Sequence, residues 1–113
     1  MITPEFLQAC TDEQINMGVA WLEAKAGKPL KMYCGEVNIV VLNQLLFPFN
    51  PCTSPNDAWP IMMANNIRVF PRPKEPFAKA RTCALPVYVD AKCGNEGLLR
   101  AAMEVYLLMS NDK

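Results

Sequence analysis

The sequence contains no histidine among its 113 residues. This absence excludes a Ser-His-Asp triad, a Cys-His nucleophile pair and every metal site that uses an imidazole ligand. An enzyme built from this chain would have to rely on carboxylate, lysine or thiolate chemistry alone. The composition therefore disfavours an enzyme, and we expect neither a catalytic residue nor a bound metal or cofactor.

The sequence also has no two cysteines at the short C-x-x-C spacing. Its five cysteines are scattered and odd in number: Cys10, Cys34, Cys52, Cys83 and Cys93. Disulfide frameworks normally use an even number of cysteines in secreted chains, and structural zinc needs closely spaced ligand pairs. We therefore expect reduced thiols, most of them behaving as small buried hydrophobic side chains.

No apolar run approaches the roughly eighteen residues that a membrane-spanning helix needs. The first residues, MITPEFLQACTDE, have neither a basic region nor a long apolar region, so they do not resemble a secretion signal. We expect a soluble, cytosolic protein that does not bind membranes.

A charge excess of either sign is missing as well, because 11 Lys and Arg residues balance 11 Asp and Glu residues. The chain therefore has no overall electrostatic bias towards nucleic acids or membranes. Its hydrophobic fraction of 51% is typical of a globular protein. The length predicts a single domain, residues 1–113, with one modest core.

Three capped helical patterns are present in the chain. The first begins with a capping box, in which Thr11 is the N-cap and Gln14 is its partner at N3. The last follows Asn95, which is a favourable N-cap residue. The patterns predict helices near residues 12–26, 57–65 and 96–109.

The last of these helices is apolar around most of its circumference. Its apolar residues include Leu98, Leu99, Ala102, Val105, Tyr106 and Met109. Only Arg100, Glu104 and Ser110 are clearly suited to water. A helix with so wide an apolar surface is expected to be central in the fold or to pack against a second copy of the chain. A homodimer is therefore possible.

The start of the middle helix is ambiguous, because Pro60 lies within the segment that is predicted to be helical. Proline is tolerated in the first turn, where the backbone N–H groups have no partner within the helix. With Asp57 as the N-cap, Pro60 falls at N3 and is harmless, and we favour this start. The alternative start, Ser54 with Pro55 at N1, places Pro60 past the first turn and requires a kink. The pair Asn65-Asn66 is expected to end this helix, because asparagine tolerates the left-handed cap conformation.

Short runs rich in β-branched and aromatic residues lie between these helices. LKMYC, EVNIVVL, IRVFPRP and LPVYVDA predict short strands, the third of them at a sheet edge because of its prolines. NQLLFPFNPC is predicted to be a loop, and KEPFAKARTC is either extended or a loop. The predicted fold class is α+β, with about three helices packed on a short, mostly antiparallel sheet, similar to an alpha-beta-alpha sandwich.

Basic residues are concentrated in the segment of residues 68–81. Two phenylalanines alternate with them, and one acidic residue, Glu75, opposes them. This pattern has three interpretations: a solvated edge that blocks strand addition, a surface for a protein partner, or a surface for a nucleic-acid backbone. The candidate partner-binding residues are Arg68, Phe70, Arg72, Lys74, Phe77, Lys79 and Arg81.

Other single features also have two interpretations. Trp59 is either an exposed interface anchor or a core residue, and we favour the core. Met62, Met63, Met103 and Met109 lie on predicted helices, where core filling is the favoured role. The CGNEG sequence at Cys93–Gly97 could bind an anion at a helix N-terminus, although a turn with a cap explains it fully.

Two stretches carry a resemblance to a known family. NPCTSPNDAWPIMMANNI and NEGLLRAAMEVYLLM resemble the NinX-like proteins of lambdoid and related bacteriophages, and DEQINMGVA is similar to their N-terminal helix. The matching stretches cover about half of the chain, and the residues from Arg72 to Cys93 depart from the pattern. These small accessory proteins have no established function and belong with a phage group described as an alpha-beta-alpha sandwich domain.

The resemblance implies a phage origin, a setting in the host cytoplasm and no catalytic residue that can be transferred. Small phage accessory proteins often bind and disable a host protein. The leading hypothesis is thus a non-enzymatic protein that interferes with a host factor, for example a CRISPR or restriction defence system. A host protein partner is favoured over nucleic acid. The alternatives are a binder that sequesters a nucleotide signal through Arg68, Arg72 and Arg81, and a weak nucleic-acid-binding protein.

Overall fold

The computed structural model describes residues 2–25, 30–33, 36–40, 46–81, 86–91 and 97–110. Within these ranges the chain forms four helices and six strands, and the predicted α+β fold class is confirmed. In chain order they are α1 (Pro4–Ala9), α2 (Asp12–Lys25), β1 (Leu30–Tyr33), β2 (Glu36–Val40), β3 (Leu46–Pro48), α3 (Pro55–Asn65), β4 (Arg68–Phe70), β5 (Phe77–Arg81), β6 (Pro86–Asp90) and α4 (Leu98–Met109).

The strands form two antiparallel sheets of three strands each, in the orders β1-β2-β3 and β4-β5-β6. Helix α4 packs across all three strands of the second sheet, and it also contacts α2 and α3. Helix α2 in turn packs against β1 and β2. The largest share of the core therefore lies around α4, between two helices and the β4–β6 sheet. No described helix is long and apolar enough to cross a membrane.

Local capping sets the starts of the first two helices. The Thr11 backbone N–H donates to Gln14 Oε1 at 2.8 Å, and the Gln14 N–H donates to Thr11 Oγ1 at 3.2 Å. This reciprocal pair is the predicted capping box. The segment before it forms the separate short helix α1, which is capped by Thr3 Oγ1 accepting from the Phe6 N–H. Helix α2 extends to Lys25, and residue 26, its predicted end, lies outside the described residues.

The prediction of a loop over NQLLFPFNPC was wrong in part, because Leu46–Pro48 forms β3. This strand pairs with β2, with Phe47 opposite Ile39 and Pro48 opposite Asn38. A proline is compatible with this position because β3 is an edge strand and Pro48 is its last residue.

The favoured start of the middle helix was also wrong. Helix α3 begins after Ser54 with Pro55 at N1, and Pro60 lies inside it. The Asp57 side chain does not cap the helix, because its Oδ2 accepts a hydrogen bond of 2.8 Å from the Asn50 backbone N–H. The Ser54 carbonyl instead accepts from the Asp57 and Ala58 N–H groups at 3.1 Å and closes the first turn.

Pro60 lies on the solvent-exposed side of α3. It cannot donate to the carbonyl of Asn56, four residues earlier, but Asn56 is exposed and its carbonyl can be hydrated. The other end of the helix is as predicted, with Asn66 as a left-handed C-cap at φ 55° and ψ 38°.

Replacing Pro60 with alanine is expected to raise the free energy of unfolding by about 2–2.6 kcal/mol. Alanine supplies the missing N–H and removes the steric conflict with the preceding turn, worth about 3 kcal/mol in a helix interior. The greater freedom of the unfolded chain offsets about 0.4–1 kcal/mol of this gain. Urea unfolding of parent and Pro60→Ala measures the difference. A variant less stable than the parent would show that the proline fits its position better than alanine does.

Helix α4 is as buried as its sequence predicts, with Leu98 and every residue from 101 to 107 buried. Its close approach to α2 depends on Gly18, where a Cβ atom would lie 3.3 Å from Leu107 Cδ2. The helix begins after Gly97 and not at residue 96. The predicted cap, Asn95, lies outside the described residues.

Two residues of α4 that were predicted to be solvent-exposed, Arg100 and Glu104, are half-buried and buried, respectively. Glu104 is buried, and its Oε1 lies 3.9 Å from Arg100 Nη2. Arg100 points towards the start of the chain, where it pairs with Asp12 and donates to the carbonyls of Leu7 at 3.0 Å and Cys10 at 2.6 Å. The two residues therefore join α4 to the junction of α1 and α2.

Candidate functional site

The β4–β6 sheet has two chemically different faces. The inner face, towards α4, carries Val69, Ala78, Ala80, Val87 and Val89, which are all buried or half-buried. The two alanines are small enough for α4 to pack closely on the central strand. The segment KEPFAKARTC, for which the sequence left a strand and a loop open, supplies this central strand, β5.

The alternate residues of the same strands form the outer face. It is defined here by six residues: Arg68, Phe70, Phe77, Lys79, Tyr88 and Asp90. Paired residues of adjacent strands lie on the same side of a sheet, so the register arranges them in two rows. One row is Arg68, Lys79 and Tyr88, and the other is Phe70, Phe77 and Asp90. All six side chains are exposed except that of Phe77, which is half-buried.

The three rings of the outer face touch one another. Phe70 and Phe77 stack with their centroids 4.6 Å apart and their planes 17° from parallel. Tyr88 meets Phe77 edge to face, with the centroids 5.4 Å apart. Phe70 and Tyr88 are 37% and 56% exposed, so Phe77 is the covered centre of a cluster that is otherwise open to solvent.

Positive charge surrounds these rings. Arg72, on the loop between β4 and β5, places its guanidinium carbon 5.6 Å from the centroid of the Phe77 ring. Arg68 and Lys79 occupy the neighbouring row, and Lys74 is exposed on the same loop as Arg72. A cation over an aromatic face is favourable by about 0.5–1 kcal/mol at an exposed site. The side chain of the remaining predicted residue, Arg81, lies outside what the structure describes.

Two acidic residues moderate this charge. Asp90 ends the row of Phe70 and Phe77, and its Oδ2 accepts a hydrogen bond of 3.3 Å from the Tyr88 hydroxyl. This hydrogen bond and the negative charge of Asp90 raise the pKa of Tyr88. Glu75 is exposed on the β4–β5 loop with a positive φ of 55°. The outer face is therefore basic overall but is not uniformly positive.

The sequence analysis identified six residues that lie on or beside this surface and whose side chains the structure describes. They are Arg68, Phe70, Arg72, Lys74, Phe77 and Lys79. It missed Tyr88 and Asp90, which are distant in the chain and join the site only because β6 pairs with β5. A signal was present, because Tyr88 alternates with Val87 and Val89 within a predicted strand. That alternation places the tyrosine on the face opposite to the valines.

Trp59 does not fill the core, contrary to the favoured interpretation. It is 57% exposed. The prediction that Met63 fills the core was also wrong, because this residue, one turn later on α3, is 61% exposed. Met62 and Met103 are buried as predicted, and Met109 is half-buried. The anion site considered at Cys93–Gly97 lies outside the described residues except for Gly97.

The thiols of the described residues do not form a reactive centre. Cys10 and Cys52 are free, and Cys34, Cys83 and Cys93 lie outside the described residues. Burial, followed by the nearby carboxylate of Asp12, raises the pKa of the Cys52 thiol to about 12. In the part of the chain that the structure describes, no three Cys, Asp or Glu side chains are grouped to hold a metal ion.

Cys52 is expected to react with iodoacetamide at least about a hundredfold more slowly in the folded protein than in the unfolded chain. The thiolate is the reactive form, and a pKa of about 12 keeps the folded thiol protonated through the neutral and mildly alkaline range. Mass spectrometry of the labelled peptide at pH 8, with and without denaturant, gives the two rates. Cys10, which is half-buried near the surface, is the internal control. Equal rates at Cys52 in both states would contradict its placement in the core.

Comparison with known proteins identifies the family but not an activity. No curated protein and no solved structure gives a significant match to this chain. The sequence model of one family, described as Bacteriophage P22, NinX, matches residues 9–110. This match includes the whole β4–β6 sheet and confirms the resemblance seen in the separate stretches. The chain therefore belongs to the bacteriophage P22 NinX family.

Proposed function

We propose that this protein is a non-enzymatic accessory protein of a phage, and that it acts by binding a host factor through the outer face. The observation that carries the proposal is the cluster of three touching rings and adjacent cations on one open sheet face. Exposed contiguous apolar surface on a folded protein marks interaction sites, and aromatic and arginine side chains are the residues that anchor them.

The loop beside the outer face supports this assignment. Pro71 and Pro73 are exposed on it, and Pro76 is buried where the chain enters β5. Prolines restrict an exposed loop, so less conformational entropy is lost when it binds a partner. The basic residues would also speed the encounter with a negatively charged partner.

The absence of histidine and the inert Cys52 thiol favour binding over catalysis. A nucleophile or general base needs a pKa near the working pH, whereas the pKa of Cys52 is raised far above it. Among the residues with described side chains, the buried glutamates are engaged in the fold: Glu23 accepts from the Tyr106 hydroxyl at 3.0 Å, and Glu104 lies near Arg100. These carboxylates serve the packing of α4 and do not face the outer face.

The family membership supplies the biological setting for the proposal. A phage protein acts during infection, and the host cytoplasm is where defence systems of the CRISPR and restriction types meet phage nucleic acid. We propose a component of such a defence system as the host factor. Contact with it would block its action without any chemical change.

Charge reversal on the outer face is expected to abolish capture of the host factor without unfolding the protein. The variant combines Arg68→Glu, Arg72→Glu and Lys79→Glu, which all alter exposed side chains. Tagged parent and variant are used to capture partners from host lysate, and their melting temperatures are measured alongside. The expected result is loss of the captured component by more than about tenfold, equivalent to 1.4 kcal/mol. The melting temperature should fall by no more than about 8 °C, because removing the Arg72 cation from the Phe77 ring costs about 0.5–1 kcal/mol.

Lys25→Glu provides a matched control for one charge reversal. Lys25 is exposed on α2, where its ammonium lies 4.3 Å from the Trp21 ring centroid, away from the β4–β6 sheet. This control should capture the host factor as the parent does. Full capture by the triple variant would place the binding surface elsewhere and would reject the proposal.

A further inference from the structure

We infer that the occupant of the outer face is a single strand of nucleic acid, which the host factor carries or displaces. The inference rests on the proposed function and names the chemistry of the contact at the same site. The sequence analysis favours a host protein over nucleic acid, because small phage accessory proteins often bind and disable a host protein. The geometry supports the opposite order of preference.

The size of the outer face is the first argument. Adjacent strands lie about 4.8 Å apart and each residue advances about 3.4 Å, so three strands of up to five residues cover on the order of 200–300 Å². A standard protein interface buries about 800 Å² of accessible surface on each partner, so a protein would also have to contact residues beyond these three strands. A stretch of two or three nucleotides, by contrast, fits a surface of this size. Antiparallel sheets that present aromatic residues stack two or three bases in this way.

The order of the rings is the second argument. Phe70 and Phe77 are already stacked at 4.6 Å, so a base placed on the exposed side of Phe70 continues an existing stack. Tyr88 lies on the other side of Phe77 and is the most exposed of the three rings. The cluster therefore offers two platforms, separated by the covered central ring, for two bases of one strand. Bases paired in a duplex could not reach them, because their faces are already stacked.

The position of the cations is the third argument. Arg68 and Lys79 lie in the row adjacent to the phenylalanines, and Arg72 lies over the Phe77 ring. Phosphates that link stacked bases would therefore pass within reach of basic side chains. Asp90 closes one end of the phenylalanine row, and Glu75 lies on the loop, so the positive path runs along Arg68, Lys79 and Arg72.

Fluorescence anisotropy with a short labelled oligothymidylate tests the inference on the full chain. We expect saturable binding with a dissociation constant of about 10⁻⁴–10⁻⁶ M at physiological salt. If three phosphates are neutralised, the logarithm of the affinity should fall with that of the salt concentration with a slope of about −2. A duplex of the same length should bind at least about tenfold more weakly.

Ring deletions identify the surface that binds the oligonucleotide. Tyr88→Ala should weaken binding about tenfold, as expected for the loss of one stacked base, whereas Tyr88→Phe should bind like the parent. Trp59→Ala removes a ring of equal exposure on α3 and should have no effect. The inference is overturned if no saturable binding occurs, if the duplex binds as well as the single strand, or if Tyr88→Ala binds like the parent.

The nucleic-acid inference can fail while the proposed function holds, and the experiments distinguish the two failures. If the oligonucleotide does not bind but the triple glutamate variant still loses the host factor, the occupant is an acidic protein surface. That outcome rejects the inference and retains the proposed function. If the triple variant captures the host factor fully, the proposed function itself fails.

Discussion

Replacing Ala102 with aspartate is expected to lower the free energy of unfolding by about 3–5 kcal/mol. Ala102 is fully buried on α4, between the helices α2 and α3 and the β4–β6 sheet. An aspartate there would place an unpaired carboxylate in the core or force the helix away from its neighbours. Because small domains are stable by only about 5–15 kcal/mol, much of the variant should be unfolded or aggregated near physiological temperature.

Ala64→Asp is the matched control for this substitution. Ala64 is exposed on α3, so the same change costs only the lower helix propensity and the unfavourable position near a helix C-terminus, about 1 kcal/mol. Thermal and urea unfolding of both variants gives the comparison. If Ala102→Asp melts like the parent and stays soluble, α4 is not the central helix of the fold.

Replacing Arg100 with methionine is expected to lower the free energy of unfolding by about 2–4 kcal/mol. The change removes a charged pair with Asp12 and two hydrogen bonds to the carbonyls of Leu7 and Cys10. It also leaves Glu104 buried without the nearby positive charge. Removing one partner of such a group costs more than the interaction itself contributes, because the remaining polar groups stay poorly solvated.

The pKa of Arg100 depends on two opposing effects, its burial and the nearby carboxylates. Burial alone would lower it, but the hydrogen bond to Asp12 and the charges of Glu104 and Asp12 raise it overall. Arg100→Lys keeps the charge but loses the forked geometry, so it should recover only part of the stability. A double-mutant cycle with Asp12→Asn measures the coupling between the two side chains. A stability loss below about 0.5 kcal/mol in Arg100→Met would show that the junction is not held by this residue.

The parts of the fold that depend on local interactions could be predicted from the sequence. The Thr11–Gln14 capping box, the Asn66 cap and the burial of α4 follow from residues close together in the chain, and the structure confirms each of them. The start of α3 could not be predicted in this way. The competing cap, Asp57, is occupied by Asn50, which is joined to Asn16 of α2 through a 2.7 Å hydrogen bond.

The exposure of Trp59 depends on which side of α3 packs against the core. The buried side of the helix consists of Ala58, Ile61 and Met62. Trp59 and Met63 lie one turn apart on the opposite side, in solvent. Helical spacing separates these two sides from either start, since residues three and four apart share a face. Large apolar residues stand on both sides, so spacing alone does not identify the buried one.

The candidate site was predictable along one segment but not across the sheet. Residues of β4 and β5 form a continuous basic and aromatic stretch that is visible in the sequence. The contribution of β6 depends on its pairing with β5, in which Tyr88 lies opposite Lys79 and Asp90 opposite Phe77. The sequence left β5 open between an extended segment and a loop, so it gave β6 no defined partner strand. The contact among the three rings is therefore visible only in the structure.

Hydroxyl-radical footprinting of the free and partner-bound protein tests most directly whether the outer face is the contact surface. The method reads the solvent exposure of aromatic and methionine side chains, and both the outer face and α3 carry exposed side chains of these kinds. We expect Phe70 and Tyr88 to become protected from oxidation in the complex, while Trp59 and Met63 of α3 react as in the free protein. Protection of Trp59 and Met63 with unchanged oxidation of Phe70 and Tyr88 would contradict it.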